Sequence, residues 1–519
     1  MISPLKKILC RIKPYSNMLI GLLVVASAVA LRLSVITGLP FTDEGFYAWL
    51  SMMTHRSLAA GEGLPPINVL ALYPTLLSFV FSWSINHIIA LRLCDLLVAA
   101  LVAWQLFRLT SQESGNALVG GLIAFIFTVA LNLPIFINSG FKNAAFAAWL
   151  FLLPALRLGL RAEREEARTF FLCGLLACIG FFCRESTAPL SLVGFIAILA
   201  ARGRRCALSY AAGGGLMAVA IIALFAYARG GLGNIIEAYA QFYSMQMKLI
   251  APAVNTFKNF KITAKEIIFL APAAAAILIA GALGAAAKDL RKARIFFWLA
   301  VSLAPLTEIL FKGGYPYHFS FAFYGLSGLA AYTGRSWQTP RPWLRPSLLF
   351  IGLLWGVSLI LGLGLLAQAR GPARRAIPAI TRMLPEQTWP AEMLNTSNYL
   401  MMADAIIRNS SPDDTLEVSG CYYLLYALTL RFPPPDKTNH LFDLGFHAIA
   451  NDLSAEDMRR YLENNQTNIV VLSGRSGLDV EVVKNALEGM PQYHMREYVG
   501  WSAERHYGGF TGAIYVRRP

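Results

Sequence analysis

The stretch Ile67-Asn68-Val69-Leu70-Ala71-Leu72-Tyr73-Pro74-Thr75-Leu76-Leu77-Ser78-Phe79-Val80-Phe81-Ser82-Trp83 decides how the whole chain is threaded through a membrane. It is apolar enough to pass for a span, although Pro74 interrupts it. The test lies in the basic residues. They cluster at Lys6/Lys7/Arg11/Lys13, Arg157/Arg161/Arg164/Arg168, Arg202/Arg204/Arg205, Lys288/Arg291/Lys292/Arg294 and Arg335/Arg341/Arg345. If 67–83 does not cross, all of these clusters fall on one face, as the positive-inside bias requires. If it crosses, every cluster after the first moves to the opposite face. The stretch therefore reads as a helix or helical hairpin lying at the outer interface. The amino terminus is then cytoplasmic and the carboxy-terminal tail is outside.

Composition supports the membrane reading. Of 519 residues 56% are hydrophobic and only 14% charged. Runs near the ~20 residues needed to cross the hydrocarbon core recur at 17–37, 87–107, 116–137, 141–157, 169–184, 187–201, 207–228, 266–286, 295–311, 319–334 and 347–369. The expected fold is a polytopic α-helical membrane protein of about eleven transmembrane helices with a small C-terminal α/β soluble domain. Residues 1–369 form the membrane domain, 38–86 its outer loop with interfacial helices, and 370–519 the periplasmic or extracellular domain. The location is the cell inner (plasma) membrane. The formal charge of +15 is spent on topology, so no nucleic-acid partner is implied. Of the seven cysteines only Cys421 lies in the tail, which excludes an internal disulfide there, and no pair has metal-ligand spacing.

Three outer segments carry information. In 38–86, Phe46, Trp49, Leu50 and Met53 form a helical apolar stripe suited to lying on the membrane. Thr42 or Asp43 can cap that helix, and on position alone a cap is the plainer role for Asp43. The segment 229–265 carries Gly230-Gly231-Leu232-Gly233, an aromatic run at Tyr239, Phe242 and Tyr243, and Lys248, Lys258, Lys261 and Lys265. Its glycines lack the strand–turn–helix setting of a nucleotide site. Its lysines suit a solvated loop, lipid headgroups or a phosphate ligand. In the tail, helices at Asn398–Asn409, Ala455–Asn464 and Val480–Glu488 alternate with strands at Thr415–Ser419, Asn468–Ser473 and Ala513–Arg517, the pattern of a small α/β layer domain. Asn395-Thr396-Ser397 and Asn465-Gln466-Thr467 match the glycosylation triplet.

Charged groups near the outer ends of spans are costly and point to function. By topology Asp43, Glu44, Glu62, Arg32, Arg92, Lys142, Arg184, Glu185, Lys312 and His318 share the outer interface. Carboxylates ringed by Arg, Lys and His can deprotonate a hydroxyl while stabilising a departing phosphate. The plainer readings are snorkelling for Arg32 and Arg92, an ion pair for Arg184 and Glu185, and an ordinary interfacial histidine for His318.

Several short motifs occur in a telling order: Arg32-Leu33 near the end of the first span, Asp43-Glu44, Glu62 before Pro65-Pro66, and Arg92-Leu93 opening the second span. Then come Gly174 to Ser186, ending Gly-Phe-Phe-Cys-Arg-Glu-Ser, and Gly314–Phe319, Gly-Tyr-Pro-Tyr-His-Phe. Together they resemble a C-type (GT-C) glycosyltransferase, the superfamily of protein O-mannosyltransferases and bacterial aminoarabinose transferases, over roughly residues 20–335. The tail resembles the soluble domain that closes many bacterial members. The resemblance implies transfer of a sugar, with inversion, from a polyprenyl-phosphate donor to a glycan, lipid or protein acceptor hydroxyl at the outer face, with membrane lipid as a further partner. It implies Asp43 as catalytic base and Glu44 as its support or as a cation ligand. It assigns Arg184, Lys142, His318 and Arg92 to the donor phosphate, and Glu62, Tyr47 and Tyr317 to substrate. Glu62 is also the implied ligand if a divalent metal is the cofactor.

The chain departs from the pattern in two places. Gly63 and Leu64 follow Glu62, so the lysine of aminoarabinose transferases is missing. The loop Asn138–Asn143 lacks a second acidic residue and offers Lys142 instead. Both departures argue against a specific assignment to lipid A modification, and they leave metal dependence open. A transporter or flippase of a lipid-linked sugar or other solute is the alternative from another class. Against it, the charges gather at one face and not at the midplane, and no repeated half with broken helices is visible. A non-catalytic assembly or sensor protein would leave the acidic pair without a task.

Overall fold

The computed structural model describes residues 4–37, 42–61, 72–137, 144–162, 166–228, 231–237, 239–240, 252–286, 290–307, 309, 316–338, 345–386, 398–420, 423–434, 443–473, 478–499 and 512–518. Every apolar run becomes a helix. They are α1 (Pro4–Ile36), α4 (His87–Ser114), α5 (Ala117–Leu131), α6 (Ala144–Arg161), α7 (Ala167–Cys183), α8 (Ala188–Arg202), α9 (Arg204–Ala228), α11 (Ala271–Ala286), α12 (Lys292–Leu303), α13 (Ala322–Thr333) and α14 (Arg345–Glu386). Between them lie α2 (Thr42–Ala59), α3 (Leu72–Leu76) and α10 (Pro252–Glu266). Among the described residues six helices are long and apolar enough to cross a membrane by length and composition: Ser16–Ile36, His87–Ser114, Glu185–Arg202, Arg204–Ala228, Ile268–Ala286 and Pro346–Met383. The other runs form shorter helices, of which α5 and α13 are almost wholly buried.

Local chemistry explains the helix ends. Asn86 caps α4 by accepting from Ile89 N at 3.1 Å. Gly115 then stops α4 at φ 71°, a left-handed value that a glycine adopts without a Cβ clash. Asn116 at once caps α5 through Leu118 N at 2.8 Å. Helix α7 meets α9 through small residues. A Cβ on Gly213 would lie 2.1 Å from Phe171 O, and one on Gly174 would lie 2.0 Å from Tyr210 O. The two backbones touch only because both positions are glycine.

Residues 72–82 form α3 followed by a 3₁₀ turn, Leu77–Ser82. This short piece packs on α2, where Ser51 Oγ donates to Pro74 O at 2.9 Å. The apolar stripe of α2 behaves differently from expectation. Trp49 and Leu50 are buried, and Phe46 and Trp49 pack on Tyr423 and Tyr426 of the tail, so the stripe faces protein and not lipid.

The tail holds α15 (Asn398–Arg408), β1 (Leu416–Ser419), α16 (Leu424–Thr429), α17 (Leu444–Ala450), α18 (Ala455–Asn465), β2 (Ile469–Ser473), α19 (Leu478–Glu488), β3 (Tyr493–Val499) and β4 (Gly512–Arg517). The sheet order is β1-β2-β4-β3, with β1 and β2 parallel and the rest antiparallel. Three elements had no sequence signal: α16, α17 and β3. Strand β3 is an edge whose interior side chains are exposed or half-buried, so it lacks the alternation that betrays a strand. A Ser454–Asp457 capping box starts α18. Of the glycosylation triplets, Asn395–Ser397 lies outside the described residues. In Asn465-Gln466-Thr467 the threonine is fully buried, donating to Glu417 Oε2 at 2.9 Å.

Candidate active site

The site is built around the first turn of α2. Thr42 and Asp43 open that helix, and the Asp43 side chain lies outside the described residues. Glu44 is fully buried and paired in a fork with Arg92: Nε donates to Oε1 at 2.6 Å and Nη2 to Oε2 at 2.7 Å. The third nitrogen, Arg92 Nη1, donates to Ile36 O at 2.7 Å. That carbonyl is one of the last on α1, where the helix supplies no partner of its own. One guanidinium therefore ties the end of α1, the start of α2 and the first turns of α4. Breaking such a pair by deleting one partner typically costs ~3–5 kcal/mol, because the other charge stays buried.

One turn further along α4, Asp95 pairs with Arg32 of α1 and accepts from the Tyr73 hydroxyl at 3.2 Å. Burial, opposed by Arg32, drives the Tyr73 phenol well up, so it remains a donor. The Arg32 guanidinium also sits 4.9 Å from the centre of the Phe146 ring. Its Nε and Nη1, the Tyr324 hydroxyl and the Trp149 indole N–H are buried with no hydrogen-bond partner among the described residues. Tyr324 and Trp149 stack with centroids 4.0 Å apart. Neither Arg32 nor Arg92 snorkels; both are buried in ion pairs. Asp95 and Tyr73 were not singled out from sequence. An acid inside an apolar span, three residues after Arg92, was the available signal.

Arg184 follows the end of α7 in an extended conformation, φ −154° and ψ 109°. Its Nη1 donates to the Tyr47 hydroxyl at 3.2 Å and its Nε to Ser186 Oγ at 3.0 Å, and it lies 5.5 Å from the Phe321 ring centre. Tyr47 is on α2, so the helix carrying Asp43 and Glu44 also touches Arg184. His318 is buried on the single helical turn Pro316–Phe319, its ring edge-on to Tyr317 at 4.2 Å. The same turn runs on to Phe321. Glu185 does not pair with Arg184; it accepts from Tyr239 at 2.8 Å. The structure thus gathers Glu44, Tyr47, Arg92 and Arg184, with the His318 turn reaching Arg184 through Phe321. Glu62, Lys142 and Lys312 lie outside the described residues. Among the described residues no group of three His, Cys, Asp or Glu side chains is gathered as for a metal, and the Glu44 carboxylate is engaged by Arg92.

The tail closes the other side of α2. Phe46 meets Tyr423 edge-on at 5.6 Å, and Trp49 lies 6.3 Å from both Tyr423 and Tyr426. Gly45 makes this approach feasible, since a Cβ there would lie 2.4 Å from Leu424 N. The tail residues Tyr423, Leu424 and Tyr426 were also not foreseen from sequence. Burial, followed by Glu417 and Asp443, pushes the Tyr426 phenol well up. Its hydroxyl accepts from Val418 N at 3.3 Å, which anchors α16 to β1.

No protein-family model matches the chain, and no curated protein matches it by sequence. Its structure is similar to the crystal structure of ArnT from Cupriavidus metallidurans bound to undecaprenyl phosphate, with a TM-score of 0.55 and 14% sequence identity. The similarity covers 95% of this chain and 97% of that one, so it includes the membrane helices and the tail alike. The chain shares the fold of that structure along nearly its whole length.

Proposed function

We propose that this protein is a membrane glycosyltransferase. It moves a sugar from a polyprenyl-phosphate donor to an acceptor hydroxyl at the outer face of the membrane, with inversion. The observation that carries the reading is the fold shared along nearly the whole chain with a protein crystallised bound to undecaprenyl phosphate. The motif order of Asp43-Glu44, Arg184 and His318 supports it. In the proposed topology the basic clusters are cytoplasmic, and α2, the Arg184 turn and the tail are outside.

In this reading Asp43, in the first turn of α2, accepts the proton of the acceptor hydroxyl as its oxygen attacks the anomeric carbon. The bond from that carbon to the phosphate oxygen breaks, and the electron pair leaves with the phosphate, turning a diester into a monoester. A carboxylate base contributes ~10²–10⁴-fold to such a step. Glu44 supports Asp43 at one remove: clamped by Arg92, it fixes the first turn of α2 against α1 and α4. Arg184, aligned by Tyr47 and Ser186, neutralises the charge that develops on the departing phosphate, together with His318 and Lys142. Glu62 and Tyr317 belong to the same substrate side.

The test is mass spectrometry of lipid-linked sugars and glycans in cells carrying wild-type protein or Asp43→Asn. The variant is expected to insert and fold while the glycosylated product disappears and an unused lipid-linked sugar accumulates. Undiminished product from that variant refutes Asp43 as the base.

A further inference from the structure

Beside the ends of α8 and α12 that carry Arg202 and Arg294, the bundle holds a cavity of about 510 Å³. It runs between α6, α7, α8 and α12, away from α2. Its walls are small or apolar, with Ala155, Gly159, Gly194, Ala197 and Ala201 leaving the room. Its blind end is Trp149 and its mouth is lined by Arg202, Arg291 and Arg294. From Trp149 to Leu160 along α6 is about 16 Å at 1.5 Å per residue. That is close to half of the ~30 Å hydrocarbon core, the depth of one leaflet. Helix α8 forms one wall and turns its opposite face outward, with Leu192, Ile196 and Leu199 exposed, so a single helix separates the slot from lipid.

The three arginines are not equivalent. Arg294 is already neutralised by Glu113, with Nη2–Oε1 at 2.8 Å and Nε–Oε2 at 3.0 Å. Arg202 and Arg291 make no ion pair among the described residues, and both line the mouth of an apolar slot. A solute without a chain leaves the slot empty, and a zwitterionic lipid brings its own cation to the arginines. Basic pockets between helices at the cytoplasmic face are a known form of anionic headgroup site.

We infer that this cavity is a binding site for an anionic glycerophospholipid of the leaflet at that end, with one acyl chain in the slot and its phosphate on Arg202 and Arg291. The inference stands apart from the proposed transferase activity, because its readout is lipid binding.

The test uses the full-length protein, delipidated in detergent and titrated with palmitoyl-oleoyl phosphatidylglycerol or phosphatidylcholine under native mass spectrometry. The wild type is expected to bind the anionic lipid at least about tenfold more tightly than the zwitterionic one. The double variant Arg202→Gln/Arg291→Gln is expected to erase that preference, and Ala197→Phe, which fills the slot, to weaken both lipids. Equal binding of the two lipids by the wild type, or unchanged preference in the arginine variant, overturns the site. Displacement of phosphatidylglycerol by equimolar undecaprenyl phosphate in an Arg202-dependent manner overturns the assignment to a phospholipid. The arginines are at the surface, so their variants remain informative even if Ala197→Phe fails to fold.

Discussion

Helix α4 carries the same chemistry at both ends and uses it differently. At its start, Arg92 forks onto Glu44 and Asp95 meets Arg32. Near its end, Glu113 takes Arg294 in a fork and also accepts the Trp298 indole N–H at 3.0 Å. The Glu113 cluster is closed: both carboxylate oxygens are occupied by α12, and Arg335 donates to the Glu113 carbonyl. The cluster at the start of α4 is not closed. Arg32 keeps two buried donors without a partner among the described residues, beside the partnerless Tyr324 hydroxyl and Trp149 indole. It also borders the α2 turn that bears Asp43. A satisfied buried ion pair serves as a staple, whereas buried donors next to an acidic turn suit a site for a polar substrate.

Mutations at the two ends of α4 test this contrast. The largest expected effect is that of Asp43→Asn, a loss of ~10²–10⁴-fold in transfer rate with the fold intact, read as product formed per inserted protein. Next comes Glu44→Ala, which strands Arg92 and is expected to cost ~3–5 kcal/mol, read by thermal unfolding in detergent. Replacing both partners, Glu44→Leu with Arg92→Met, should recover much of that stability but not activity, because the first turn of α2 is then held without its anchor. Glu113→Ala should be less destabilising than Glu44→Ala, because the stranded Arg294 is 28% exposed to begin with, while the folded fraction keeps its turnover. A folded Glu113→Ala protein that cannot turn over would erase the distinction between the two ends.

Smaller effects probe how α2 is held from outside. Gly45→Ala forces a Cβ into the Leu424 backbone, an overpacking cost of ~1–3 kcal/mol. It should loosen the tail and raise its proteolysis before the membrane domain unfolds. Tyr47→Phe removes one hydrogen bond to Arg184, worth ~0.5–1.5 kcal/mol. It should weaken donor binding by roughly tenfold or less, seen in KM with kcat little changed. A Tyr47→Phe protein with unaltered KM would detach Arg184 from the donor.

Much of the fold was legible because its signals are local. Apolar runs of spanning length all became helices, and the tail elements with clear periodicity were found within a few residues. The elements that stayed hidden, α16, α17 and β3, are short or exposed and carry no period to detect. The candidate site was legible in residue type but not in pairing. Arg92 and Glu44 are 48 residues apart, Arg32 and Asp95 are 63 apart, and Arg294 and Glu113 are 181 apart. The α2 stripe shows the same limit: its spacing shows that one face is apolar, not whether lipid or a tail tyrosine covers it.

That the chain is a helical membrane protein with an α/β tail follows from neighbouring residues alone, since spanning length, basic asymmetry and side-chain period are local properties. The packing of distant segments made Glu44 an anchor clamped by Arg92, set Tyr47 to align Arg184, and laid the tail on the helix bearing Asp43. Each of these depends on which distant group arrives at a buried charge or an apolar face. The desolvation cost of leaving such a group alone compels a partner without naming it.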